Sequence, residues 1–286
     1  MEILRTVEDM QRFADRVRQR GRTIGFVPTM GYLHEGHVSL VHIARRHADV
    51  VVVSIFVNPT QFGPGEDFES YPRDFERDRR MVAAAGADCL YCPDADEMYP
   101  PGYQTTVCVR EVTRNLCGLS RPAHFEGVAT VVAKLFNAVK PQYAVFGQKD
   151  FQQLVVIKRM VRDLNMDIDI IGAPIVREPD GIAMSSRNKY LGTAERQAAR
   201  CLSRALDAVR SRADEGERSA QALISLARGI ISAEPLGRID YVKVCDAVTL
   251  QDVERLEREA VMAVAVFFEK ARLIDNTILH VDGPQP

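Results

Sequence analysis

Pro28-Thr29-Met30-Gly31-Tyr32-Leu33-His34-Glu35-Gly36-His37 is the segment whose residue types could do chemistry together. It lies where an apolar strand pattern stops and a helical one starts, so His34 and His37 fall at a helix N-terminus. Free backbone N–H groups and the helix dipole favour anions there. An imidazole N–H can donate to a phosphate oxygen and steady the charge that builds on phosphorus during transfer. Gly36 would let a flat ring lie close to the backbone. A zinc-protease reading needs His-Glu-x-x-His, and position 38 is Val, so that motif fails. By itself the pair could equally be two histidines on a helix face.

Three further segments fall at comparable places. Val176-Arg177-Glu178-Pro179-Asp180-Gly181-Ile182-Ala183-Met184-Ser185-Ser186-Arg187-Asn188 is a polar loop with an Asp-Gly turn signal. Its Met184-Ser185-Ser186-Arg187 stretch offers two hydroxyls and a guanidinium, a set suited to polyphosphate. Phe146-Gly147-Gln148-Lys149-Asp150 ends another strand. Gly147 permits close backbone approach, Lys149 supplies a point charge, and Asp150 can cap the next helix or orient the lysine or a ribose. Gln152 and Gln153 follow on its first turn. The strand through Ile55-Phe56-Val57 stops at two amides, Asn58 and Gln61, uncharged groups fit for hydroxyl and carboxylate recognition. Each segment is weak alone; their common placement at strand ends points to one anion-binding cleft.

The elements that must hold these segments alternate. Helical spacing covers Val7–Arg20, Gly36–His47, Arg73–Ala85, Val128–Val139 and Phe151–Leu164. Short apolar, β-branched runs cover Thr23–Val27, Asp49–Val57, Ala87–Cys92, Tyr143–Phe146 and Ile168–Ala173. Such alternation predicts an α/β fold, a doubly wound parallel sheet of Rossmann-like type, whose ligands sit beyond the carboxyl ends of the strands. After about residue 175 the pattern changes. Helices are expected over Thr193–Arg212, Ser219–Ala233 and Val253–Glu259, and strands over Ile239–Cys245 and Val261–Phe268. The reading is therefore an N-terminal domain of residues 1–175 and a smaller α+β domain of residues 176–286 that acts as a lid.

Composition narrows the functional classes. The 286 residues carry 37 Lys and Arg against 39 Asp and Glu, so nothing in the net charge of -2 favours nucleic acid or a membrane surface. The longest apolar run, Ala260–Phe268, is far short of the about 20 residues a spanning helix needs. The first residues lack the apolar core of a secretion signal, and six cysteines in so long a chain do not suggest a disulfide framework, so a cytoplasmic location is expected. Cys89-x-x-Cys92 has no second close pair and reads as buried thiols, not a zinc site. Glu66-Asp67-Phe68-Glu69 reads as exposed.

The motifs PTMG-x-LHEGH, VNP-x-QF, YPR, RP-x-HF-x-GV, FG-x-KD-x-QQ and REPDG-x-AMSSRN occur in that order. In combination the chain resembles the pantoate–β-alanine ligase family, among the nucleotidyltransferases with a HIGH-type motif. That resemblance implies ATP-dependent condensation of (R)-pantoate with β-alanine to give pantothenate, AMP and pyrophosphate through an enzyme-bound pantoyl adenylate. It implies an ATP site of Met30, Gly31, Tyr32, Leu33, His34, Glu35, Gly36 and His37, joined by Gly147, Gln148, Lys149, Asp150, Val176, Met184, Ser185, Ser186 and Arg187. His37 would be the proton donor, with His34 and Lys149 beside it on the phosphates. Gln61 and Gln153 would hold pantoate, with Asn58, Tyr71, Arg121 and His124 near it, and Asp78 would bear on Mg²⁺. The family also implies a homodimer. Two rivals stay open at this point: a transferase that makes a dinucleotide or CDP-alcohol, and a noncatalytic nucleotide sensor.

Overall fold

Val50, Val51, Val52 and Val53 show how one strand can feed two layers. Successive side chains point to opposite faces of a sheet. Val50 and Val52 join the core around Met10, Phe13, Val128 and Leu154, while Val51 and Val53 join a second core with Leu40, Val41 and Val82. A strand buried on both faces must sit between two helical layers, and its sequence then reads as a continuous apolar run.

The computed structural model describes residues 1–281. Its first part runs β1 (Glu2–Leu4), α1 (Val7–Gln19), β2 (Ile24–Thr29), α2 (Glu35–His47), β3 (Val50–Ile55), α3 (Phe75–Ala84) and β4 (Cys89–Tyr91). Two single-turn helices follow, α4 (Ala95–Met98) and α5 (Cys117–Ser120), then α6 (His124–Val139), β5 (Tyr143–Gly147), α7 (Phe151–Asp163) and β6 (Asp169–Ala173). All six strands are parallel, in the order β1-β4-β3-β2-β5-β6. The chain builds outward from β2 through β3 to β4, then crosses back to lay β5 on the other side of β2. That reversal makes the β2/β5 boundary the switch point, where a crevice opens beyond the strand ends.

The second part comprises α8 (Thr193–Ala199), α9 (Cys201–Asp214), α10 (Ala220–Ser232), β7 (Gly237–Asp246), β8 (Ala260–Phe268) and β9 (Ala271–Leu279), with the three strands antiparallel in sequence order. Met262 and Val264 of β8 pack with Leu206 and Leu223 of the helices. Val261 and Ala263 face the other way, into the same core as Phe125 and Val128. Burial on both faces explains the nine-residue apolar run of β8.

Several boundaries differ from expectation. α6 starts at His124, four residues before the apolar pattern becomes continuous. The helix expected over Thr193–Arg212 is divided at Arg200, whose N–H turns to the Ala198 carbonyl and interrupts the four-back ladder. Val253–Glu259 is no helix. Its backbone is committed elsewhere, Val253 N–H to Val244 carbonyl at 3.2 Å and Leu256 N–H to Arg218 carbonyl at 2.8 Å. Strands β1 and β9 were not expected from the pattern. All six cysteines are free, and Cys89 and Cys92 are buried.

Candidate active site

The turn after β2 and the turn after β5 flank the switch point, and both carry residues singled out by type. After β2, Gly31 (φ 84°) and Tyr32 (φ 48°) reverse the chain in left-handed conformations. Asp78 of α3 holds this turn from behind, accepting the Tyr32 N–H at 2.6 Å and the Leu33 N–H at 2.8 Å. Leu33 is buried in the core. The turn delivers His34 and His37 to the start of α2, with ring centroids 4.1 Å apart. At Gly36 a Cβ would come within 2.9 Å of the His34 ring, so any larger residue would have to displace that ring.

The protonation of the two rings follows from their surroundings. The His34 N–H donates to Nδ1 of His37 at 3.3 Å, so a neutral His37 carries its proton on Nε2. Burial, then the neighbouring His34 and Lys149, holds His37 well below the ordinary imidazole value. Burial and the Lys149 charge bring His34 down to about 4. Nδ1 of His34 is buried and has no hydrogen-bond partner among the described residues. A buried polar atom left without a partner is uncommon, and the His34 ring that carries it belongs to a residue lining a cavity.

That cavity, of about 230 Å³, collects residues from five separate segments. From the β2 turn come Met30, His34, Gly36 and His37; from the β5 turn come Gly147, Lys149, Asp150 and Gln153. Gln61 and Tyr71 line it from the stretch between β3 and α3, and Arg121 and His124 from the start of α6. Val176, Met184, Ser185, Ser186 and Arg187 close it from the segment after β6. Ser185 caps a 3₁₀ turn, its hydroxyl accepting the Arg187 N–H at 3.2 Å, and the Ser186 hydroxyl meets the Tyr71 phenol at 3.2 Å. Lys149 stands 3.5 Å from Asp150, the one carboxylate that lines this cavity among the described residues.

The part of the lining around Gln61 is prearranged. Asn58 is fully buried, its amide donating to Gln61 Oε1 at 3.0 Å and to the Gly127 carbonyl at 3.2 Å. Its own oxygen accepts Thr60 and, at 2.9 Å, Tyr99. Asn58 therefore supports Gln61 from beneath instead of lining the cavity. Arg121 donates through Nη1 to Nε2 of His124 at 3.2 Å. A guanidinium has no acceptor, so Nδ1 of His124 must carry the proton it gives to the Gln61 carbonyl at 2.9 Å. Burial and the Arg121 charge take His124 down to about 4.

Other expected residues stand outside the cavity. Gly31, Tyr32 and Leu33 shape the turn behind it, and Glu35 is exposed. Gln148 presents its backbone carbonyl to Asn276 of β9. Asp78, expected to bear on Mg²⁺, has both oxygens occupied by backbone N–H groups and is 1% exposed, so its geometry suits holding the turn. No group of three or more metal-ligating side chains occurs among the described residues. One carboxylate at the cavity is compatible with a Mg²⁺ held chiefly by phosphate oxygens and water. Gln152 is also structural: its amide bonds the carbonyls of Val112 and Asn115 and accepts the Cys117 N–H.

Four contributors were given no role by the sequence. Asn276 ties β9 to the β5 turn through the Gln148 and Lys149 carbonyls at 2.9 and 3.0 Å. Asp275 beside it pairs with Arg177 at 2.6 Å. Glu66 and Asp67, expected to be exposed, are half-buried in ion pairs with Arg121 and Arg187. An acidic run gives no local sign that its partners lie more than 50 residues away.

Comparison with known proteins agrees with this arrangement over nearly the whole chain. The family model described as pantoate-beta-alanine ligase matches residues 2–278. A pantothenate synthetase of Syntrophus aciditrophicus is 55% identical over 285 residues, covering 100% of this chain and 99% of that protein. The crystal structure of pantothenate synthetase from Thermus thermophilus superposes with a TM-score of 0.93 at 46% identity, over 98% of this chain and all of that one. A pantoate-beta-alanine ligase from Francisella tularensis, solved with a β,γ-ATP ligand and β-alanine, gives a TM-score of 0.80 at 32% identity over all of both chains. With matches of this extent behind the two turns at its switch point, the chain belongs to the pantoate–β-alanine ligase family.

Proposed function

We propose that this cleft joins pantoate to β-alanine at the expense of ATP in two steps, through an acyl adenylate that stays bound. In the first, a carboxylate oxygen of pantoate attacks the α-phosphorus of ATP, and the bond to the β-phosphate oxygen breaks to release pyrophosphate. In the second, the free amine of β-alanine attacks the acyl carbon, AMP leaves, and one proton is released. The observation that carries the reading is that one cavity brings His34, His37, Lys149 and Ser185–Arg187 together with the amides and imidazole of Gln61, Gln153 and His124.

Two anions must approach one another in the first step, so the site must screen charge before it can position atoms. Lys149 and Arg187 supply fixed positive charge, and the serine hydroxyls and the His37 Nε2–H supply donors. Neutral imidazoles suit the empty cleft, and an arriving triphosphate would draw their pKa values upward. Mg²⁺ would travel on the phosphates and neutralise them. Gln61, already oriented by Asn58, and Gln153 would receive the hydroxyl and carboxylate groups of pantoate. The Francisella relative with ATP and β-alanine ligands supports the choice of nucleotide and amine.

The same reading takes residues 1–175 as the nucleotide and pantoate unit and residues 176–286 as the cover, in a cytoplasmic homodimer. Slower proteolysis at residues 174–190 on adding ATP and pantoate would support the cover, and sedimentation would test the dimer. The chemistry itself is tested by isotope exchange between pyrophosphate and ATP with Mg²⁺ and pantoate but no β-alanine. Exchange that requires pantoate is expected. Pantothenate formation without any such exchange would remove a reversible adenylate, and absence of both would remove the ligase reading.

A further inference from the structure

Between Gly63 and Ser70 two adjacent acids take arginines from distant parts of the chain. Glu66 receives Nε and Nη2 of Arg121, and Asp67 receives Nε and Nη2 of Arg187 at 3.0 and 2.9 Å. Both are side-on, two-point pairs. Such a pair fixes the plane of a guanidinium as well as its position. It occupies two of the five N–H bonds and leaves three for another acceptor. For Arg187 those three meet no protein acceptor among the described residues, and the residue lines the cavity. The side chains of Arg187 and Asp67 are 29% and 27% exposed, so water screens the pair only in part. Burial raises the Asp67 pKa, but the Arg187 hydrogen bonds and charge outweigh it and hold the carboxyl below its ordinary value.

We propose that Asp67 is a positioning residue for phosphoryl chemistry: it aims Arg187 while leaving that guanidinium's outer edge free for phosphate oxygens. The inference rests on the adenylate reading above and names the group that sets its guanidinium. Arginine has a long, rotamer-rich side chain, and ordering it at the moment of binding costs conformational entropy. A fixed anion removes that cost and the associated error in aim, and an error of about 1 Å can cost about 100-fold in rate. The neighbouring Tyr71 ring, 5.8 Å from the guanidinium carbon, restricts the same side chain from a second direction. Were Asp67 only a competitor for Arg187, removing its charge would help ATP.

The test is a double-mutant cycle on the full-length protein with Asp67→Asn, Arg187→Lys and their combination. Arg187→Lys keeps the charge and loses the planar fork. The readout is pantoate-dependent pyrophosphate–ATP exchange, resolved into kcat and KM for ATP, with thermal unfolding midpoints as a check on folding. Asp67→Asn alone is expected to lower the exchange kcat about tenfold, and to add less than about twofold in the Arg187→Lys background. Wild-type exchange by Asp67→Asn, a lower KM for ATP with a faster rate, or a full additional loss in the Arg187→Lys background would each overturn the proposal. Absence of exchange in the wild type would count against a reversible adenylate instead, and the same cycle read in net pantothenate formation would still decide Asp67.

Discussion

The two walls of the cleft are built on opposite plans. On the acyl wall, Asn58, Gln61, Arg121 and His124 bond to one another before anything binds. On the nucleotide wall, His34 has a buried nitrogen with no partner among the described residues, and Lys149 has only a carboxylate 3.5 Å away. Substrate chemistry explains the contrast. A triphosphate brings enough charge and acceptors to complete many donors at once, so His34 and Lys149 can be left incomplete there, although Arg187 on the same wall is already paired with Asp67. A small hydroxy acid brings few, so the amides that read it must already be oriented, or their ordering would consume the binding energy.

Substitutions that strike the incomplete wall should therefore act mainly on rate, and those on the preset wall mainly on substrate affinity. The largest loss is expected for His37→Ala, about 100-fold or more in exchange kcat, the usual scale for removing one oriented donor from developing charge. A rate near that of the wild type would take His37 out of the chemistry. Next comes Asp78→Asn. An amide can accept one of the two turn N–H groups but opposes the second, and a buried N–H left unpaired costs about 1 to 3 kcal/mol. Unfolding at lower temperature and weaker exchange should follow, with the Mg²⁺ concentration dependence unchanged. A shifted Mg²⁺ requirement would return Asp78 to the metal and blur the contrast between support and chemistry.

Gln61→Ala probes the preset wall. The KM for pantoate should rise about tenfold, as for a lost hydrogen bond to a charged group, while the KM for ATP stays within about twofold. Equal changes in both constants would show that the walls are not separable. Glu66→Gln loosens the Arg121 grip without emptying it, and a rise of a few-fold in the pantoate constant is expected, smaller than for Gln61.

The same contrast governs what could be read before the fold was known. His34, His37 and Lys149 stand just beyond strand ends, where chain direction alone places them at the switch-point crevice, and the Ser185–Arg187 stretch stands out by residue type in the polar loop after β6. Local pattern sufficed there. The doubly wound sheet was legible for a related reason, since runs such as Val50–Val53 leave two-sided burial as the simplest account. Support residues were not legible. Asp78 sits among charged residues on a helix and gives no hint that it holds a turn 46 residues earlier. Glu66, Asp67 and Asn276 likewise act through contacts that exist only after the segments around residues 66, 148 and 187 have come together. Val253–Glu259 failed in the opposite sense. Its spacing suited a helix, but its backbone hydrogen bonds go to β7 and to the residues before α10.

The smallest effect concerns the acid side of stability, and it separates the walls by titration. His124 titrates at about 4 in the fold against an ordinary value of 6.5, as burial and the Arg121 charge oppose its protonation. Between those values the unfolded chain binds a proton that the folded chain refuses. The stability it contributes is complete above about pH 6.5, declines as pH falls, and is gone below about pH 4. His34 shares the window, because burial and Lys149 lower it to about 4 as well. His124→Gln keeps an amide that can donate to the Gln61 carbonyl and an oxygen that can accept Arg121, yet cannot titrate. Unfolding free energies measured between pH 7 and pH 4 should fall less steeply in that variant, by about 1 kcal/mol across the window once partial solvent screening is allowed for. Saturating ATP should flatten the contribution of His34 in the wild type, because phosphate oxygens reward its protonation, and should leave that of His124 in place. If ATP flattened both equally, the imidazole of the preset wall would also be reading the nucleotide, and the division between the two walls would fail.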